Sequence, residues 1–266
     1  MLRSSIAVWC GVLLLAVGVA VARKSPPGTR PDENDAAKGC LPSLLFDFQD
    51  YRRGELRREV PVWRAPDGSA FYFDAGMTID ADGAPNAYNP QNTGIDDLKN
   101  AGEPGNWEGL AQDKDGNPYV QGPNDPFPGF YVSCTSLTDR DKNDSDPSKY
   151  VDASKIPYIV LPREVVRQGS AHIGDLAVVF NLRNGRNSYA IFADVGTMGE
   201  GSVALAKRLG IDPDAREGGT RGPIRYLVFP GSGNGRPRAL DEIMRATGKL
   251  FQEWGGAEQL NACAAN

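Results

Sequence analysis

The stretch DLAVVFNLRNGRNSYAIFADVGTMGEGSVALAKRLGI, residues 175–211, decides the fold. DLAVVFNL (175–182) is an apolar run, Arg183-Asn184-Gly185 is a turn tripeptide, and NSYAIFADV (187–195) is a second apolar run. Two such runs joined by a short turn ending in glycine read as a β-hairpin. GSVALAKRLGI (201–211) reads as a short helix with Ser202 as its N-cap. Between hairpin and helix stand Asp194, at the strand end, and Glu200, flanked by glycines. Two carboxyl groups so placed are what acid/base hydrolysis of a sugar bond requires. Aspartate at a strand end is also ordinary turn chemistry, so the spacing alone leaves both readings open.

Outward from this segment the chain continues as strand-like pieces. VPVWRA (60–65), Asp67-Gly68 and AFYFDAGMTID (70–80) make a second hairpin signal. PGFYVSCTSL (128–137), the wholly apolar KIPYIVLP (155–162) and PIRYLVFPG (223–231) read as further strands. RALDEIMRATGKLFQEWGG (238–256) is an amphipathic helix stopped at Gly255. Residues 84–128, rich in Gly, Asn and Pro, are too long for an inert connector. The apolar patch and charges from Cys40 to about Arg58 suggest a helical pre-segment. Strands dominate, and with 31 Gly and 20 Pro in 266 residues a mainly β, small closed barrel with long loops and a few short helices is the natural solution.

The first 22 residues have the layout of an export signal: Arg3, then an apolar stretch, then Ala20-Val21-Ala22 as a cleavage pattern. Arg23-Lys24 leaves an uncleaved signal anchor as the alternative. Residues 23–39, with Pro and charge but little apolar content, read as a flexible linker, and 40–266 as a single domain. The expected localisation is therefore secreted. A net charge of −5 disfavours nucleic acid and anionic membranes as partners. Of the four cysteines, Cys10 lies in the signal, Cys134 is expected to face the core, and Cys40 and Cys263 are expected to pair. No cysteine pair has metal-ligand spacing and His172 is the sole histidine, so neither a metal nor another cofactor is expected.

The remaining motifs read as turns. GSGNGRP (231–237) lacks the third glycine and the βαβ setting of a dinucleotide loop. DRDKNDSD (139–146) and IDADG (79–83) lack the glycine and glutamate of a calcium loop and are expected to be solvated. Ser170, His172 and Asp175 sit too close along the chain to converge as a triad. Carboxylates are left as the chain's only chemistry-grade groups.

Five strings, in order, then carry a resemblance: FYFDAGMTIDADG, YVSCTSL, IPYIVLP, GDLAVVFN and YAIFADVGTMGEGSVALAKRLGI. Together they resemble the chitosanases of glycoside hydrolase family 75 over about residues 60–231. The last string is the most specific, because that family carries its catalytic Asp and Glu in a segment of this form. Position by position, these are Asp194 and Glu200, although the stretch between them is shorter than in the fungal members.

The resemblance implies an endo-acting, inverting hydrolase of β-1,4-linked glucosamine polymers, built on a six-stranded double-psi β-barrel. It implies Asp194 as general acid and Glu200 as general base, the reverse assignment being open. Asp74 and Asp80 are candidates for holding substrate amino groups, Trp107 for stacking on a sugar, and Asp175 for a further substrate contact. The expected partner is a cationic polysaccharide, chitosan, bound by a monomer. The alternatives are a peptidoglycan-cleaving barrel enzyme of the lytic transglycosylase type, which needs a single Asp, and a wall-binding module without catalysis.

Overall fold

The computed structural model describes residues 41–52 and 55–264. The expected export signal, the linker and Cys40 lie outside these residues. Among these residues ten strands and four α-helices follow in chain order. The strands are β1 (Ser43–Arg52), β2 (Glu55–Arg64), β3 (Phe71–Asp80), β4 (Gly102–Glu103), β5 (Asn106–Trp107), β6 (Tyr158–Leu161), β7 (Leu176–Asn181), β8 (Asn187–Val195), β9 (Glu200–Ser202) and β10 (Thr220–Phe229). The helices are α1 (Arg163–Gly169), α2 (Val203–Leu209), α3 (Leu240–Glu253) and α4 (Gly256–Ala264).

Six strands close into a barrel in the order β3-β10-β7-β8-β6-β9, with β9 returning to β3. The sheet is mixed: β6–β8 and β3–β9 are parallel, and the other barrel pairings are antiparallel. Closure leaves none of these strands with an unpaired edge. The barrel is filled by alternate residues of each strand. Phe73, Ala75, Met77 and Ile79 from β3 meet Ile224, Tyr226 and Val228 from β10, and the Phe73 and Tyr226 rings stack at 4.9 Å. All four residues of β6 are buried, which explains its continuous apolar run. Truncating Ile159 there would cost about 2–5 kcal/mol. A second apolar layer, including Val178, Leu227, Phe229 and Phe251, packs α3 and α4 on the outside of the barrel.

Both hairpins form, β7–β8 around residues 182–186 and β2–β3 around Asp67-Gly68. Ser202 caps α2 as expected: its hydroxyl accepts from Leu205 N at 3.1 Å and from Tyr158 N at 3.0 Å, and donates to Ile156 O at 2.8 Å. The cap thereby also ties α2 to the start of β6.

Three expectations need correcting. The segment after Cys40 is not helical, because β1 and β2 form an antiparallel hairpin. Phe46, Phe48 and Asp50 recur at every second residue, the period of a strand. Residues 128–137 form no strand but an excursion held by isolated bridges, Val120 to Tyr131 and Leu110 to Ser133. Its apolar side chains serve a small satellite cluster of Ala111, Val132 and Tyr150. Cys134 packs half-buried against that cluster and not in the barrel. Cys263 is disulfide-bonded, while its expected partner lies outside the described residues.

Candidate active site

Asp194 reaches the surface because β8 carries a β-bulge. Ile159 pairs with Phe192, but the next residue, Val160, pairs with Asp194, so Ala193 is the extra residue. Ala193 is buried, and the slip turns Asp194 to the same side as Val160. On its other edge Val160 pairs with Glu200 of β9, which in turn pairs with Thr78 of β3. The row Asp194, Val160, Glu200, Thr78 thus crosses four strands, and all four residues line one groove of about 1060 Å³.

The turn between the two carboxyl groups is braced from three directions. Thr197 N donates to Glu200 Oε2 at 3.0 Å. Arg58 of β2, paired with Asp50 at 3.0 Å, donates to Met198 O at 2.7 Å. Gly199 has φ +79°, and a side chain there would meet Gly76 O at 2.8 Å, so glycine is required both by conformation and by space.

The excursion delivers Ser136 to Asp194. The Ser136 hydroxyl donates to Asp194 Oδ1, Ser136 N does so at 3.1 Å, and Val195 N at 2.7 Å. Burial pushes the Asp194 carboxyl above its ordinary range, against the pull of these donors on the charged form.

Asp80 also lines the groove, two residues beyond Thr78 on the same face of β3. Burial, then the charges of Asp194 and Glu200, push its carboxyl well up. Asp82 joins it, so IDADG is not a solvated turn: its two acidic side chains point into the groove. Six carboxyl groups line the groove (Asp80, Asp82, Asp96, Glu108, Asp194, Glu200) against two guanidinium groups, Arg163 and Arg216.

A family model described as fungal chitosanase of glycosyl hydrolase group 75 matches residues 77–253, well over half the chain. The chain belongs to this family. Comparison with curated proteins returned no match. The matched region starts on β3 and contains every groove-lining residue. For a chitosanase-type glycoside hydrolase the acidity of the groove is in keeping, since a negative cleft draws in a cationic polymer.

The other expected substrate contacts of this group 75 member stand elsewhere. Asp74 is on the far part of β3, six residues or roughly 20 Å from Asp80 along the strand. There it forms a two-pronged pair with Arg225, both contacts at 2.8 Å. Asp175 is fully buried and accepts from the backbone amides of His172, Gly231 and Gly233. It is the anchor around which the GSGNGRP turn folds. Trp107, on β5, packs half-buried beside Tyr131, and only its neighbours Glu108 and Gly109 line the groove.

Sequence reasoning missed Ser136, Tyr88, Asp96 and Arg216. YVSCTSL contains Ser136, but nothing in a string of small polar residues marks the one that touches a carboxylate 58 positions away. Among the described residues no helix is long and apolar enough to cross a membrane.

Proposed function

We propose that this family member is a secreted, endo-acting chitosanase that cleaves β-1,4-linked glucosamine polymers with inversion. Asp194 is the general acid and Glu200 the general base. The observation that carries the reading is the row in which Val160 separates the two carboxyl-bearing residues. Two strand spacings put their backbones roughly 10 Å apart, with side chains on one side. That separation suits carboxyl groups about 6.5–9.5 Å apart, which leaves room for a water beside the sugar.

The acid must hold a proton at working pH, and burial of Asp194 favours this. Glu200 must be ionised to take a proton from water as it attacks the anomeric carbon. The leaving oxygen then takes the proton of Asp194. An open groove lined by Asp80, Asp82 and Glu108 supports endo action on an extended cationic chain. The amino-terminal pattern of residues 1–22 supports export. The double-psi form of the barrel is part of the same proposal, suited by its two parallel pairings.

The test is release of reducing ends from chitosan by the wild type, Asp194→Asn and Glu200→Gln. Loss in both variants is expected. Equal activity in all three would sink the assignment. An active Glu200→Gln variant yielding anhydro sugars from peptidoglycan would favour the single-Asp alternative.

A further inference from the structure

Tyr88 is buried, and its hydroxyl lies between two carboxyl groups, 2.8 Å from Asp82 Oδ1 and 2.9 Å from Asp96 Oδ2. A phenol has one proton and can donate it to only one of them. With both carboxyls ionised, one short oxygen–oxygen contact would contain no hydrogen. A second proton therefore has to sit on one carboxyl, which donates it to the Tyr88 oxygen.

The surroundings say which. Asp96 Oδ1 accepts from Asp97 N at 2.7 Å and from Asn100 Nδ2 at 2.8 Å. Arg216, anchored on Asp96 O at 2.9 Å, adds a positive charge beside it. Burial pushes the Asp96 carboxyl up as well, but these donors and Arg216 favour its charged form, so Asp96 is the better anion of the two.

Asp82 has the opposite setting. Asp80 from β3 and Asp194 from β8 face it, and burial together with those charges disfavours its ionised form. The Tyr158 hydroxyl of β6 goes to Asp82 O and not to its carboxyl, at 3.0 Å. The Ser133 hydroxyl is 3.4 Å from Asp82 Oδ1 but only 3.0 Å from Gly109 O, its better acceptor. Gly109 itself leaves the space the carboxyl occupies, since a Cβ there would lie 2.9 Å from Asp82 Oδ1.

We infer that Asp82 faces the groove as a neutral acid that donates to Tyr88, while Tyr88 donates to Asp96. Asp82 is then a positioning residue: the relay places the negative charge on Asp96, on the other side of the Tyr88 hydroxyl, and not on the carboxyl that Asp194 faces. Without the relay, an ionised Asp82 would raise the proton affinity of Asp194.

The inference rests on the two-carboxylate reading of the groove for its meaning, but its first test needs no substrate. In protein labelled with ¹³C at the aspartate carboxyls, one protonated signal at pH 7 is expected to vanish in Asp82→Asn. Loss of an ionised signal instead would overturn the inference and leave the hydrolase reading intact. The second test is Asp96→Asn, which frees Tyr88 to donate to Asp82 and so moves the charge to the carboxyl that Asp194 faces. The pH–rate profile on chitosan is expected to shift up by about 0.5–1 pH unit. An unshifted profile in a variant with wild-type circular dichroism would overturn the inference. Should Asp96→Asn not fold, the labelled Asp82→Asn protein still decides.

Discussion

Asp194 and Glu200 stand on either side of Val160 in a single row of the barrel sheet, on strands β8 and β9 that do not pair with each other. Six positions apart in sequence, they are held apart by a buried strand and not by a loop. The distance between them is therefore fixed by sheet spacing, the least deformable dimension available. A hydrolase that must fit a sugar bond and a water between two carboxyls gains from such a spacer.

On the proposed assignment, Asp194→Asn and Glu200→Gln should each lower the rate on chitosan by about 10²–10⁴-fold. The product anomer gives a second reading. Proton NMR of the first-formed reducing ends should show the α-anomer, because the water attacks opposite the leaving group. A β-anomer would contradict the inverting mechanism.

Ser136→Ala removes one donor to the Asp194 carboxylate. Such donors stabilise the charged form, so their loss should raise the Asp194 pKa further. An acid with a higher pKa keeps its proton longer, so the alkaline limb of the kcat/KM profile should move to higher pH. Movement to lower pH would be incompatible with Asp194 as the acid.

Asp80→Asn should stabilise the fold at pH 7. Burial and the facing carboxyls raise the native Asp80 pKa, while the unfolded chain ionises near 3.9. Between these two values the native state binds more protons than the unfolded one, so wild-type stability falls as pH rises. The gain in the variant should be roughly 1–2 kcal/mol at neutral pH and should vanish below about pH 4. Urea unfolding at both pH values reads this directly.

Arg58→Ala should loosen the turn between Asp194 and Glu200 without touching the groove. It removes the bond to Met198 O and leaves the buried Asp50 carboxyl without its ion-pair partner. A stability loss of about 1–3 kcal/mol is expected. Because Glu200 follows two residues after Met198, kcat should fall while KM holds. A change in KM alone would show that the hairpin β1–β2 contacts substrate.

Much of this molecule is legible in its sequence. NSYAIFADV and YIVL are strands because their composition allows little else, and the Arg183-Asn184-Gly185 turn sets their neighbour. Ser202 was readable as a cap because capping is local chemistry. Elimination of metal, phosphate and triad patterns left only carboxylates, and the resemblance to glycoside hydrolase family 75 singled out Asp194 and Glu200 among them. The apolar residues of β1 also fit a short helix, and only pairing with β2 distinguishes the two.

The sequence by itself determined most of the element types and the barrel class, since periodicity, turns and caps are properties of neighbouring residues. Tertiary structure alone decided the rest. Asp74, Asp80 and Asp175 look alike as strand-end or strand-borne acids. Yet one pairs with Arg225, one enters the groove, and one is buried beneath backbone amides. Which fate each meets depends on the strand or loop that lies across from it. Registry between distant segments, down to the single bulge at Ala193, is not written in any local window.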